Sequence, residues 1–167
     1  MRKYLINTTH LGMRFIRKGD AHHIEDVEKD PEVKRFYPEG ELSDQEIQDF
    51  IDESIKNQKE HNLPCFLIFK ARNDAFVGEA YFDRMPTGEI KVGYMLDKKY
   101  WNKGYATEVL KALLNWAKLH IDAEYIVAYA DRENEGSFRV MEKCGMKYYK
   151  SGTYKNMESF FYRIKNR

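Results

Sequence analysis

Cysteine is scarce in this chain: Cys65 and Cys144 are the two among 167 residues, far apart and without C-x-x-C spacing. That excludes a disulfide framework and leaves two free thiols packed as small apolar groups. Histidine offers only the neighbours His22-His23 and three separated residues. Adjacent side chains point different ways, so the pair is a poor chelate and no metal is expected. Excess charge is missing too, with 28 basic residues against 27 acidic ones and a net charge of +1. Without a global basic field, nucleic acid and acidic lipid are not the expected partners. Apolar runs fall far short of the roughly 20 residues of a membrane span. Met1 to Thr9 begins basic but has no apolar core of signal-peptide length, which makes the cytoplasm the expected compartment.

What is present suits one folded domain over residues 1–167, since 43% of residues are hydrophobic and 33% charged. No repeats or linkers interrupt it. Alternation over His10 to Arg17 predicts a first strand. Asp20 is placed to cap a helix through Ile24 and Val27, and a short turn follows at Glu32 to Phe36. Ser43-Asp44-Gln45-Glu46 is a capping box opening a helix that buries Ile47, Phe50, Ile51 and Ile55. Phe36, Tyr37 and Phe50 are either plain core or the wall of a pocket. Pro64 to Lys70, Phe76 to Arg84 and Glu89 to Leu96 then read as an antiparallel meander, with turns at Asn73-Asp74 and Pro86-Thr87-Gly88. Gly93 inside the last strand predicts a bulge or a close approach by a backbone or ligand.

The chain is organised around Tyr100-Trp101-Asn102-Lys103-Gly104-Tyr105-Ala106-Thr107-Glu108. A strand precedes it, and a helix follows with Ala106, Val109, Leu110, Leu113, Leu114 and Ala117 on one face. A glycine loop that bares the first amides of a helix, beside Lys103, is an anion site. The nucleoside-triphosphate and dinucleotide fingerprints both fail here. Glu124 to Ala130 reads as a buried strand reached by a parallel crossover. Asn134 caps a helix burying Phe138, Met141 and Cys144, which Gly145 closes. Two strands around a Lys155-Asn156 turn complete the chain.

Trp101-Asn102-Lys103-Gly104-Tyr105-Ala106 resembles the pyrophosphate loop, [Q/R]-x-x-G-x-[G/A], of the GNAT acetyltransferases. The aromatic first position is typical of the RimJ/RimL-like branch. Asn134 to Met146 is similar to that branch's N-x-x-S-x-r-v-x-e-k-x-G-[F/M] segment, and Gly93-Tyr94-Met95-Leu96 to its central strand. The resemblance is close over Phe76 to Tyr149. It implies an α/β (α+β) fold with a mixed, mostly antiparallel sheet of about six or seven strands, about four helices and splayed central strands. It also implies acetyl-CoA as co-substrate, held by Tyr94, Met95, Leu96, Trp101, Asn102, Lys103, Gly104, Tyr105, Ala106, Thr107, Asn134 and Ser137.

The implied reaction moves the acetyl group to a primary amine, on a protein N-terminus or a small molecule, by direct attack. Many members of the family protonate the leaving thiolate with a tyrosine on the last motif helix, but this chain has Met141 there. Ser137 takes the role through the resemblance, or else is only a capping serine. For the base, Glu79, Asp83, Glu89 and Glu158 are candidates; Glu89 is favoured slightly, against a water relay. The acceptor wall includes the helix from Ser43 and the loop at Tyr154 to Met157. A catalytically silent acyl-CoA-binding module is the alternative function, and free sheet edges leave room for a homodimer.

Overall fold

The computed structural model describes residues 3–167, so Met1 and Arg2 of the basic N-terminal start lie outside the described residues. Among the described residues, eight strands form one sheet in the order β1-β2-β3-β4-β5-β6-β8-β7. They are β1 (Ile6–Asn7), β2 (Leu11–Phe15), β3 (Cys65–Lys70), β4 (Phe76–Arg84), β5 (Ile90–Leu96), β6 (Tyr125–Asp131), β7 (Lys147–Tyr154) and β8 (Met157–Lys165). Four α-helices cover it: α1 (Ala21–Glu28), α2 (Asp44–His61), α3 (Tyr105–His120) and α4 (Glu135–Lys143). The short β1 is the strand that alternation did not reveal.

Local chemistry sets the boundaries. Ser43 and Glu46 form the reciprocal capping box at the start of α2, and Asn62 ends that helix in the left-handed region. Lys155 and Asn156 both have positive φ, the twist that a two-residue hairpin loop requires. One expectation fails here. Asp20 stands at the N-terminus of α1 but makes no side-chain cap. Its carboxylate instead takes the Arg14 fork at 2.9 Å on each oxygen and the Arg17 amide at 2.7 Å. A bidentate, charge-assisted pair outcompetes a single amide.

The sheet separates two apolar layers. On one face, Val109, Leu110, Leu113 and Trp116 of α3 and Phe138 and Met141 of α4 pack on Phe66, Phe82, Val92 and Ala128. On the other, Ile24 and Val27 of α1 and Ile47 and Ile51 of α2 cover Leu67, Phe69 and Met95. Helical period on the helices and strand period on the sheet meet at these faces.

What positions the site is a failure of pairing. Strands β5 and β6 run parallel and pair only at Ile90 with Ile126 and Lys91 with Val127. Beyond Lys91 they part, each still bonded to its outer neighbour, β5 to β4 and β6 to β8. The splay therefore opens a gap through the middle of the sheet. The bulge considered at Gly93 does not form, because the β4–β5 register runs unbroken from Gly78–Leu96 to Arg84–Ile90. The close approach is real, but its source is a side chain. A Cβ at Gly93 would lie 2.7 Å from Tyr81 Cζ, so the absence of a side chain admits that ring.

Candidate active site

Two cavities meet at the splay. The first is a cleft of about 600 Å³ over the loop before α3 and the start of α4. Gly104 occupies the N-cap position of α3 with φ +82°, and no side chain caps the helix. Asn102 is also left-handed, at φ 61°. These turns leave the N–H groups of residues 102–107 without an acceptor among the described residues; the first helical bond runs from Glu108 to Gly104. Successive bare amides at a helix start make a nest for an anion, strengthened by the helix dipole. Glu108 stays out of this nest because Thr8 and the His10 amide and ring hold its carboxylate. Trp101 is anchored by its indole N–H, which donates to the Leu96 carbonyl at 3.0 Å.

Of the residues expected to hold the cofactor, Tyr94, Met95, Leu96, Trp101, Asn102, Gly104, Tyr105, Ala106, Thr107, Asn134 and Ser137 all line this cleft. Lys103 does not; its side chain is exposed. Positive charge comes from residues to which the sequence analysis gave no role: Arg35, and Arg139 and Lys143 of the second motif. Their signal was weak, since basic residues on exposed helix faces are common.

The second cavity, of about 380 Å³, lies on the α1–α2 side. Its walls include Phe50, Glu53, Ser54 and Asn57 of α2 and Tyr154, Lys155 and Met157 around the last hairpin. The helix and the hairpin loop expected to form an acceptor wall thus line one cavity. Phe36, Tyr37 and Phe50, left open between core and pocket, line it. The two cavities share Phe36, Tyr37, Tyr94, Met95, Asn134 and Ser137.

At that junction the hydroxyls of Tyr94 and Ser137 are 3.2 Å apart. The Asn134 side chain accepts the Ser137 amide at 3.3 Å, so capping fixes where the serine points. Tyr37 donates its hydroxyl to the Tyr94 carbonyl at 3.0 Å, tying the 3₁₀ turn Val33–Phe36 to β5. Burial pushes the Tyr94 phenol up to about 12, so it keeps its proton at neutral pH. Two neutral hydroxyls in contact can pass a proton and stabilise a developing anion. The sequence analysis named Tyr94 and Ser137 separately and did not pair them, because no spacing rule joins a strand residue to a helix 43 residues later.

Glu89 is not part of this junction. It lines neither cavity. Its carboxylate accepts Thr87 Oγ1 and Tyr149 Oη, each at 2.8 Å, and Lys150 lies 3.7 Å away. Burial pushes its carboxyl up, but those hydrogen bonds and the Lys150 charge outweigh that and hold it below the usual range. A base needs the opposite shift, so the structure gives Glu89 a turn-fastening role. Asp83 lines the second cavity, whereas Glu158 is exposed and pairs with Arg132 at 2.7 Å.

Glu79 differs again. It is 1% exposed, and neither carboxylate oxygen meets a donor among the described residues. Burial, then the charge of Glu28 and a hydrogen bond to it, push this carboxyl well above its ordinary range. Two carboxyl groups can bond each other only through a shared proton, which that upward shift favours. Glu28 in turn receives Lys34 Nζ at 2.6 Å, and Lys34 also reaches Glu39 at 2.7 Å. Glu28, Lys34 and Glu39 face the second cavity.

Comparison with known proteins agrees with this geometry. A family profile described as "Acetyltransferase (GNAT) domain" matches residues 10–147. A Bacillus subtilis (strain 168) protein, "Uncharacterized N-acetyltransferase YnaD", is 28% identical over 144 residues, covering 85% of this chain and 82% of its own length. Among solved structures, a Bacillus anthracis acetyltransferase (GNAT family) superposes with a TM-score of 0.82 at 24% identity, covering 96% of this chain and 98% of its own. RimL, a ribosomal L7/L12 alpha-N-protein acetyltransferase in complex with coenzyme A, superposes with a TM-score of 0.81 at 17% identity, covering 95% of each chain. With the family profile spanning most of its length, and the splayed sheet and bare loop in place, the chain belongs to the GNAT acetyltransferase family.

Proposed function

We propose that this protein is an N-acetyltransferase of the RimJ/RimL-like kind, moving the acetyl group of acetyl-CoA to a primary amine. The observation that carries the proposal is the junction of two cavities at the Tyr94–Ser137 hydroxyl pair. Pyrophosphate sits on the amides of residues 102–107, with Arg139 and Lys143 nearby as counter-charges. The pantetheine arm runs past Asn134 toward the gap between β5 and β6.

A free alkyl amine, with a pKa of about 10.4, must shed a proton before it attacks. That proton leaves through water in the second cavity, since neither Glu89 nor Glu79 lines it. The neutral nitrogen forms a bond to the thioester carbonyl carbon, and the carbon–sulfur bond then breaks. Ser137 gives its hydroxyl proton to the departing thiolate, with Tyr94 hydrogen-bonded behind it, and the remaining excess proton on the attacking nitrogen passes through the same water to restore the serine hydroxyl. No covalent enzyme intermediate is required.

Calorimetry with acetyl-CoA, and with free CoA beside it, tests the cofactor half. Micromolar binding, about −8 kcal/mol, lost in a folded Gly104→Glu variant supports the reading. Release of CoA with an amine panel tests the other half. Binding without turnover on any amine would make the protein an acyl-CoA-binding module. No binding by folded protein would overturn the proposal.

A further inference from the structure

Lys91 is a charged side chain that the chemistry above does not use. It lies on β5 facing the second cavity and is only 6% exposed. Its ammonium donates to Tyr129 Oη at 3.1 Å and sits 5.1 to 5.9 Å from the ring centres of Tyr81, Tyr129 and Tyr154. No carboxylate ion-pairs with it among the described residues. An ammonium has three protons to donate, and one acceptor is supplied. Burying a charge with donors left over is unfavourable unless something else completes the shell.

The groups facing it define what that something is. Asp83 is its cross-strand partner in the β4–β5 register, yet its carboxylate accepts the Arg84 amide at 2.8 Å instead. Glu39 is already taken by Lys34. Lys155, at the last hairpin, is a second cation lining the same cavity. Burial, followed by the Lys155 charge, lowers the Lys91 ammonium to about 8, and Asp83 and Glu39 only partly offset this. The cavity thus has a basic end at Lys91 and Lys155, and an acidic wall where Glu28, Glu39 and Glu53 outnumber Lys34. Such an arrangement suits a monoanion, because the acidic wall and Asp83 repel a dianion such as phosphate. A volume of about 380 Å³ with aromatic walls suits an amine of amino-acid size.

We infer that Lys91, in its tyrosine cage, reads a carboxylate on the acceptor, so that the substrates of this enzyme are amino acids or close amino-carboxylate analogues. This rests on the acetyltransferase reading and narrows it. The carboxylate takes the free Lys91 donors and the Tyr129 hydroxyl, leaving the substrate amine directed toward the Tyr94–Ser137 junction.

The test compares matched pairs, phenylalanine against phenethylamine and tyrosine against tyramine, as acceptors for the wild-type enzyme, Lys91→Met and Lys91→Arg. Expected is a preference for the carboxylated member of about 10- to 100-fold in kcat/KM, the range of a charged hydrogen bond. The preference resides in KM, collapses toward unity in Lys91→Met and partly returns in Lys91→Arg. Equal rates within each pair for the wild type, or an unchanged ratio in Lys91→Met, overturn the inference. Binding of N-acetylphenylalanine and N-acetylphenethylamine to the CoA-saturated protein reads the same subsite without turnover. Equal binding of the two also overturns it. Mass spectrometry after incubation with acetyl-CoA alone guards against another role: acetyl-Lys91 would make this lysine an acceptor and sink the carboxylate reading. Failure of acetyl-CoA to bind is a different result, and it strikes the acetyltransferase proposal itself.

Discussion

The hydroxyl of Tyr94 on β5 lies 3.2 Å from the hydroxyl of Ser137 on α4, at the place where the two cavities join. The strand contributes its residue because β5 has parted from β6; the helix contributes its own because Asn134 caps it there. A pair built this way acts as a unit. Ser137→Ala should lower kcat on the order of 100-fold, the lower part of the range for a general acid. Tyr94→Phe should lower it about 10-fold, and the double variant little further than Ser137→Ala alone. Steady-state kinetics beside acetyl-CoA titration check this. Independent, multiplying effects, or a matching loss of acetyl-CoA affinity, would show that the two do not share a step.

Gly104 separates backbone geometry from fold. A Cβ there meets nothing within 4 Å, so the penalty is the left-handed backbone alone, roughly 1 to 2 kcal/mol. Gly104→Ala should therefore lower the melting temperature modestly while the amides keep most of their direction. Gly104→Glu adds a carboxylate beside them and should raise the acetyl-CoA dissociation constant at least about 100-fold, or ~3 kcal/mol. Equal affinity in both variants would remove the loop from the binding site.

The buried acid at Glu79 makes stability depend on pH. Its pKa is raised in the folded state, so above the unfolded value the folded protein holds a proton that the unfolded chain has lost. Stability is then greatest at low pH in this window and falls as pH rises toward the folded pKa. Glu79→Gln keeps the shape and removes that proton. Urea unfolding should show the variant gaining on the wild type as pH rises above the ordinary glutamate range. Parallel pH profiles for the two proteins would contradict a protonated Glu79.

Glu89→Gln should leave kcat within about twofold, since its carboxylate fastens Thr87 and Tyr149 and faces neither cavity. Any deficit should appear in the melting temperature. A loss of kcat with a shifted acid limb in the pH–rate profile would restore Glu89 as a base.

Legibility in the sequence followed the range of the interactions. The capping box at Ser43, the loop at Trp101 to Thr107 and the Asn134 cap are short-range chemistry, readable from neighbours three or four residues apart. Asp20 misled because its competitor, Arg14, lies on a strand, and propensity says nothing of a guanidinium arriving from there. Glu89 misled because a glutamate at a strand edge looks the same whether it faces a cleft or a tyrosine hydroxyl. Lys91 carried one faint signal, a lone charge two residues before a glycine in an otherwise uncharged strand.

The sequence by itself determined all the elements but the short β1, their order and the bare-amide loop, because hydrophobic period, caps and a glycine at positive φ act through the local chain. Only the tertiary structure decided where β5 and β6 separate, which hydroxyls meet in the gap, and which charges are left unpaired inside it. Those outcomes depend on which residues, distant along the chain, compete for the same donors and acceptors. The competition is settled only when the sheet and its helices close around them.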